Sequence, residues 1–311
     1  MRVDVSKSGT SCPCVNPRVP AVRVAVSTTV RLSLKHDHDM VRIILRTLSV
    51  SPDNVPDAGS PVWCLSGAER ERAARFVFER DRLAYSAAHG LLRNMLAEFH
   101  QLPPLAWQFR SNAYGRPELN PEKHGNEIPR FNLTHTRGRV AVALTRDPLP
   151  EGFELGVDAE CVERTADALG LAKRFLSARE SDWLHGLPAA QHQSQFLRLW
   201  TLKEAVAKAV GLGLSLNFQT FHCGVDPLSV LFDEPRWGTR EHWHLHNEWI
   251  EPGHWLSMAV RCPPDVAVEW QIEHLSAPGT SASRPPGDQA ECFQGPISKP
   301  GQRFPLSNPS Q

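Results

Sequence analysis

The stretch 196–210 contains a carboxylate, Glu204, and an ammonium group, Lys208, four residues apart. These residue types at this spacing could take part in acid–base or phosphate chemistry. Trp200, Glu204 and Lys208 recur every fourth residue among good helix formers without proline, which predicts a single helical stripe. Taken alone, Glu204 and Lys208 describe an ordinary solvent-facing ion pair worth roughly 0.2–0.5 kcal/mol. A second set of acids elsewhere in the chain changes that interpretation.

Two further carboxylates lie upstream, in the segment Gly156-Val157-Asp158-Ala159-Glu160. Alternation with apolar neighbours predicts a strand on which Asp158 and Glu160 share the polar face. Such a face is commonly exposed to solvent or marks the end of a strand. If this strand meets the helix, three acids and Lys208 converge.

Composition narrows the classes of ligand. The chain has 311 residues, with Lys+Arg 34 against Asp+Glu 34 and a formal net charge of +0, so no global charge favours nucleic acid or an anionic membrane. No apolar run approaches the roughly 18–20 residues of a membrane span. The seven cysteines are scattered and odd in number, which favours reduced thiols and a cytoplasmic location.

The sequence also predicts approximate bounds for the helices that position these acids and Lys208. Helices are expected near 68–100 and 190–210, and Ser177 with Glu180 forms a capping-box pattern between them. Residues 1–60 are expected to be a poorly ordered or peripheral extension, within which Met40 is a second candidate for the first residue. Residues 276–311 have the composition of a disordered tail.

Five motifs in order carry a family resemblance. They are Phe-Asn-Leu-Thr-His-Thr at 131–136, Gly-Val-Asp-x-Glu at 156–160, Phe-Leu-Ser-x-x-Glu at 175–180, Trp-x-x-Lys-Glu-Ala-x-x-Lys at 200–208 and Gly-x-Gly-Leu-Ser at 211–215. This order resembles the 4′-phosphopantetheinyl transferase superfamily, in its larger two-half (Sfp-type) group. The resemblance covers about residues 61–262.

The resemblance implies an α/β (α+β) fold of two pseudo-symmetric halves. Each half packs a helix on a small antiparallel sheet, and the active site lies in the cleft between the halves. We place the halves at 61–150 and 151–275 and expect a monomer.

The implied reaction moves the 4′-phosphopantetheine arm of coenzyme A to a serine of an apo acyl- or peptidyl-carrier protein. Adenosine 3′,5′-bisphosphate is released, and Mg²⁺ is required. By the family motifs, Asp158, Glu160 and Glu204 are the metal ligands, and their hard oxygens suit Mg²⁺ better than Zn²⁺. Glu204 and Lys208 are the expected catalytic residues, with the serine proton taken by Glu204 or by a metal-bound water.

The family motifs identify the residues that contact coenzyme A less directly than they identify the metal ligands. Arg116 stands where the family has lysine, Thr134 and His135 stand where a Ser-His pair meets the 3′-phosphate, and Arg72 is chosen by position. Ala84 and His89 depart from basic residues that are frequent in the family. The expected coenzyme A contacts are Arg72, Arg116, Thr134, His135 and Lys208.

Two other functions stay open. Three carboxylates and a lysine also suit a Mg²⁺-dependent phosphohydrolase acting on coenzyme A or nucleotides, and a noncatalytic scaffold that binds coenzyme A or a carrier is a further alternative. We expect the carrier to bind near 175–195, which links the acidic strand to the catalytic helix.

Overall fold

The structure is a computed structural model that describes residues 40–53, 63–100, 102–125, 128–163 and 167–275. Within these ranges, no helix combines the length and the apolar character needed to cross a bilayer. The predicted tail at 276–311 and most of the predicted N-terminal extension lie outside the described residues.

The described chain contains helices and strands in both of its parts. The first part contains β1 (Met40–Ser49), α1 (Gly67–Ala74), α2 (Glu79–His100), β2 (Phe109–Ser111), β3 (Pro117–Leu119), α3 (Pro121–His124), β4 (Phe131–Thr136) and β5 (Arg139–Thr145). The second part contains β6 (Glu154–Cys161), α4 (Ala168–Phe175), α5 (Ala178–His185), α6 (Ala189–Ala209), β7 (Phe221–Val225), β8 (Leu228–Phe232), β9 (Trp243–Ile250), β10 (His254–Arg261) and β11 (Ala267–Leu275).

Two sheets form the centre of the fold. The first has the order β11-β1-β5-β4, and the second has the order β6-β10-β9. All neighbouring strands in these sheets are antiparallel except β1 and β11, which are parallel. β2 with β3 and β7 with β8 form two separate hairpins.

Three apolar cores place the sheets and helices in layers. In the first, α2 packs through Leu92 and Met95 on Val142 of the first sheet. In the second, α6 packs on the second sheet. The third core lies between the two sheets, where strand residues such as Val157 and Leu45 meet. The two-half α/β prediction is therefore confirmed.

The strand β1 lies at the middle of the first sheet, between β11 and β5. Ile43, Ile44 and Leu45 are almost completely buried, so residues 40–49 are not the peripheral extension expected from sequence. β11 belongs to the same sheet, although the expected boundaries assigned it to the second half. The first sheet is thus built from both ends of the described chain.

Close approach of α6 to β6 depends on Gly156. A Cβ atom at this position would lie 2.0 Å from the carbonyl oxygen of Ala205 and 2.5 Å from the backbone nitrogen of Ala209. Because real Cβ atoms do not tolerate such distances, any larger residue forces the helix away from the strand. Glycine at 156 therefore allows the polar face of β6 to meet α6.

Candidate active site

Asp158 and Lys208 meet where the polar face of β6 lies against α6. The Lys208 Nζ donates to Asp158 Oδ1 at 2.6 Å and to the carbonyl oxygen of Val157 at 3.1 Å. Asp158 is buried, and the Lys208 side chain is 24% exposed. The helical stripe and the acidic strand thus come together, and Lys208 does not form the simple solvent-facing pair with Glu204 that its spacing permits.

Thr134 of β4 completes this contact from the first half. Its hydroxyl donates to Asp158 Oδ1 at 3.0 Å and accepts from Lys208 Nζ at 3.1 Å. Three elements therefore converge on one carboxylate oxygen. The site lies at the junction of the two halves.

Glu204 stands in the electrostatic field of the same groups. Burial raises its pKa, Asp158 and Glu160 raise it further, and Lys208 partly offsets them, which brings the pKa of Glu204 to about 7. Asp158 and Glu160 are thus close enough to Glu204 to disfavour its charged form. A cation placed among them would relieve both the repulsion and the cost of burial.

The oxygens of this cluster fit a hard divalent cation. Asp158 Oδ2 is buried and has no hydrogen-bond partner in the structure, while Oδ1 is already bound by Thr134 and Lys208. Among the described residues, however, no three acidic, histidine or cysteine side chains stand in a ready-made ligand arrangement. The donor chemistry therefore suits Mg²⁺, but the coordination shell is not preassembled.

His135 lies at the exposed rim of the site. Desolvation by the surrounding protein lowers its pKa, Lys208 lowers it as well, and Asp81 and Asp158 oppose the shift. The charges that act on His135 come from α2 and from the Asp158–Lys208 pair. A neutral imidazole there can donate a hydrogen bond to an anionic group arriving from solvent.

Arg72 is connected to this rim through aromatic rings. Its guanidinium lies 5.7 Å from the ring centroid of Tyr85, and Tyr85 lies 4.1 Å from the ring of His89. His89 in turn contributes to the pKa shift of His135. Arg72 is exposed and borders a surface depression lined by Ala68, Glu71, Arg72, Arg75 and Phe76.

Arg116 lies at the C-terminal end of α6 and, in the part of the chain that the structure describes, makes no hydrogen bond to the carboxylate of Asp158. Its guanidinium donates to the carbonyl oxygens of Lys208 and Ala209, both at 3.0 Å, and pairs with Glu118 at 2.8 Å. It also lies 3.5 Å from Glu154, four residues before Asp158 on β6. At about 3.3 Å per strand residue, that contact is about 13 Å from Asp158. In the structure, Arg116 thus binds the C-terminal end of α6.

Trp200 of α6 packs among aromatic rings of the second half. Its ring lies 5.8 Å from Phe175, 5.7 Å from Phe196 and 5.3 Å from Phe218. On another face of α6, the buried Lys203 binds both carboxylate oxygens of Glu180 at 2.8 Å. These contacts fix the helix that carries Glu204 and Lys208.

Sequence reasoning missed a second buried ion cluster beneath Tyr85. Glu69 accepts from Arg93 Nε at 2.8 Å, lies 3.3 Å from His89 Nδ1 and accepts from the Ser66 nitrogen at 2.7 Å. Burial alone would raise its pKa, but these contacts lower the pKa of Glu69 to about 2. The capping-box pattern Ser66-x-x-Glu69 was the available signal.

The acidic side chains and Lys208 lie together where the two α/β halves meet. This arrangement is typical of proteins that bind a metal ion and a phosphate group. The profile of the 4′-phosphopantetheinyl transferase superfamily matches residues 154–259. The profile described as 4′-phosphopantetheinyl transferase, N-terminal, matches residues 58–146. Both matches fall on the described halves of the fold.

Known relatives agree with the profiles. HetI, a 4′-phosphopantetheinyl transferase of Nostoc sp., is 36% identical over 49% of this chain and 61% of its own length. The Synechocystis sp. protein slr0495, assigned to the same transferase class, is 30% identical over 59% of this chain and 72% of its own. The human L-aminoadipate-semialdehyde dehydrogenase-phosphopantetheinyl transferase is 25% identical over 70% of this chain and 72% of its own length. The chain therefore belongs to the 4′-phosphopantetheinyl transferase superfamily, as its motifs predict.

The match to HetI spans less than two thirds of that relative. Among solved structures, a holo-(acyl-carrier-protein) synthase from Bacillus anthracis, in complex with CoA, is 20% identical over 35% of this chain and 94% of its own. The TM-score between the two structures is 0.29.

Proposed function

We propose that this protein transfers the 4′-phosphopantetheine arm of coenzyme A to a serine hydroxyl of an apo acyl- or peptidyl-carrier protein. The observation that carries the proposal is the meeting of Asp158 and Lys208, with Glu204 beside them at a pKa of about 7. Membership of the superfamily supports the same reaction.

In this reaction the serine oxygen forms a bond to the phosphorus that carries the arm, and the bond from that phosphorus to adenosine 3′,5′-bisphosphate breaks. Lys208 compensates the negative charge that develops on the departing phosphate. Glu204 accepts the serine proton, because its carboxylate belongs to the same charge cluster as Lys208 and Asp158.

A magnesium ion held by Asp158, Glu160 and Glu204 would supply further charge stabilisation to the pyrophosphate. Arg72, Thr134 and His135 are proposed to contact the coenzyme, with His135 and Arg72 on its exposed nucleotide side. Arg116 is proposed to act on the coenzyme through the end of α6, because its guanidinium already binds Glu118 and two helix carbonyls.

The carrier is proposed to dock near α5 and the start of α6, in the segment 175–195. Carrier proteins of this family are generally acidic around the modified serine, and Arg179 of that segment is exposed. Arg179→Glu should therefore raise the KM for the carrier and leave the KM for coenzyme A unchanged. Equal KM values for the carrier in the two proteins would remove the segment from the interface.

The reaction itself is tested by incubating the chain with coenzyme A, Mg²⁺ and several apo-carriers. Intact-mass spectrometry should show one added arm on a carrier, and chromatography should show adenosine 3′,5′-bisphosphate only when that carrier is present. Release of inorganic phosphate without a carrier would identify the phosphohydrolase instead. Binding of coenzyme A without any product would identify a scaffold.

A further inference from the structure

Side chains of β4 reach across to β6 at every second residue. Asn132, Thr134 and Thr136 occupy alternate positions, so they share the face of β4 that is opposite to Phe131 and Leu133. The bonds that they make are Val157 N to Asn132 Oδ1 at 3.0 Å, Thr134 Oγ1 to Asp158 Oδ1 at 3.0 Å, and Thr136 Oγ1 to Glu160 Oε2 at 3.2 Å.

These contacts connect two different sheets. β4 is the edge strand of the first sheet and β6 is the edge strand of the second, and the two strands are not hydrogen-bonded neighbours in either sheet. Polar contact between them therefore runs through the side chains of β4. Two of the three positions bind the carboxylates that we assign to the metal.

The hydroxyl of Thr136 has a defined orientation. It accepts from the backbone nitrogen of Cys161 at 3.3 Å, and its single proton is then directed to Glu160. Thr134 repeats the pattern, because it accepts from Lys208 and donates to Asp158. Each threonine thus takes an N–H from the second half and gives its proton to a carboxylate of β6.

We propose that Thr136 is a positioning residue that holds Glu160 in the direction required for binding a divalent cation. The inference rests on the proposed function, because it concerns the same metal site. Thr136 does not contact the reacting atoms; it acts through Glu160. Residues that orient a ligand commonly change metal affinity or activity by about 10–100-fold when they are replaced.

The test compares the affinity of Thr136→Val and the wild type for Mn²⁺. Free Mn²⁺ is measured by electron paramagnetic resonance at a fixed concentration of coenzyme A, with a blank that contains coenzyme A alone. We expect the valine variant to bind Mn²⁺ about tenfold more weakly, with an unchanged KM for coenzyme A at saturating metal. Thr136→Ser keeps the hydroxyl and should restore Mn²⁺ affinity to within about threefold of the wild type.

Thr145→Val is the matched control. Thr145 is fully buried on the neighbouring strand β5, and its hydroxyl bonds the backbone of Arg130 rather than a carboxylate. This variant should lose stability but keep wild-type Mn²⁺ affinity. If Thr145→Val weakened Mn²⁺ binding as much as Thr136→Val, the effect would be general loosening and the proposal would fail.

Several outcomes separate this inference from the proposed function. Wild-type Mn²⁺ affinity in Thr136→Val would overturn the positioning role and leave the transferase assignment untouched. Absence of transfer by a wild-type chain that binds Mn²⁺ would overturn the reaction but not the positioning role. Thr136→Ala is the second variant, since it adds no volume; if it and the valine variant both failed to fold, Thr136 would be structural and the proposal wrong.

Discussion

Lys208 and Asp158 form a 2.6 Å ion pair that uses only one oxygen of the carboxylate. The second oxygen, Oδ2, is buried without a hydrogen-bond partner in the structure. Buried polar oxygens are rarely left in that state, because an unsatisfied group costs about 1–3 kcal/mol. An oxygen held in place but unsatisfied is what a cation site requires.

Gly156→Ala should prevent α6 from docking on β6. The new Cβ would meet the Ala205 carbonyl at 2.0 Å, so we expect a loss of about 3 kcal/mol or more in the free energy of unfolding. Gly67→Ala is the control, since nothing lies within 4 Å of its Cβ position and its φ is not in the left-handed region. Urea unfolding measures both, and equal stability of the two variants would contradict the packing described here.

Removing the charge of Glu204 should change how stability depends on pH. The pKa of Glu204 is raised from 4.5 to about 7 in the folded chain. In the pH window between these two values, the folded chain holds a proton that the unfolded chain has released. Wild-type stability without metal should therefore fall as pH rises through the window, by roughly 2–3 kcal/mol more than in Glu204→Gln. Urea unfolding between about pH 5 and 8 gives the difference; parallel pH profiles would refute the assigned shift.

Glu69 should contribute stability with the opposite pH dependence. The pKa of Glu69 is lowered from 4.5 to about 2 in the folded chain. Its contribution to the free energy of unfolding is therefore fully present above pH 4.5 and is lost as the pH falls toward the folded-state pKa of about 2. Glu69→Gln leaves the buried Arg93 without its carboxylate and should cost about 3 kcal/mol at neutral pH.

Glu71→Gln is the control for that measurement, because Glu71 is exposed on the same helix. Its substitution should change the free energy of unfolding by no more than about 0.5 kcal/mol. The gap between the wild type and Glu69→Gln should narrow as pH is lowered below 4.5. A gap that stayed constant down to about pH 3 would show that Glu69 is not held ionised by its neighbours.

Local periodicity predicted the parts of the site that lie within one element. The four-residue stripe of α6 and the alternation of β6 predict which side chains share a face. In the structure, Asp158 and Glu160 both meet threonines of β4, and Trp200, Glu204 and Lys208 are absent from the buried residues of α6. The pairing of Lys208 with Asp158 instead of Glu204 depends on how helix and strand approach. That approach is set by Gly156, whose contacts are distant in sequence.

The strand β1 shows why another part of the fold could not be predicted. Arg42 and Arg46 interrupt the apolar run of this strand. In the structure, Arg42 pairs with Asp147 at 2.6 Å and Arg46 pairs with Glu98 at 2.5 Å, so the arginines are satisfied while the intervening residues are buried. Glu98 lies on α2 and Asp147 follows β5, so both partners are distant in sequence and no local pattern reveals them.

Mn²⁺ binding to Asp158→Asn, measured at a fixed concentration of coenzyme A, shows whether this carboxylate cluster holds the metal. Glu154→Gln is the matched control, because Glu154 lies on the same face of β6 but contacts Arg116. We expect one Mn²⁺ site per wild-type chain, about one tenth of the wild-type affinity or less in Asp158→Asn, and wild-type affinity in Glu154→Gln. Unchanged Mn²⁺ affinity in Asp158→Asn would contradict the assignment of this carboxylate cluster as the metal site.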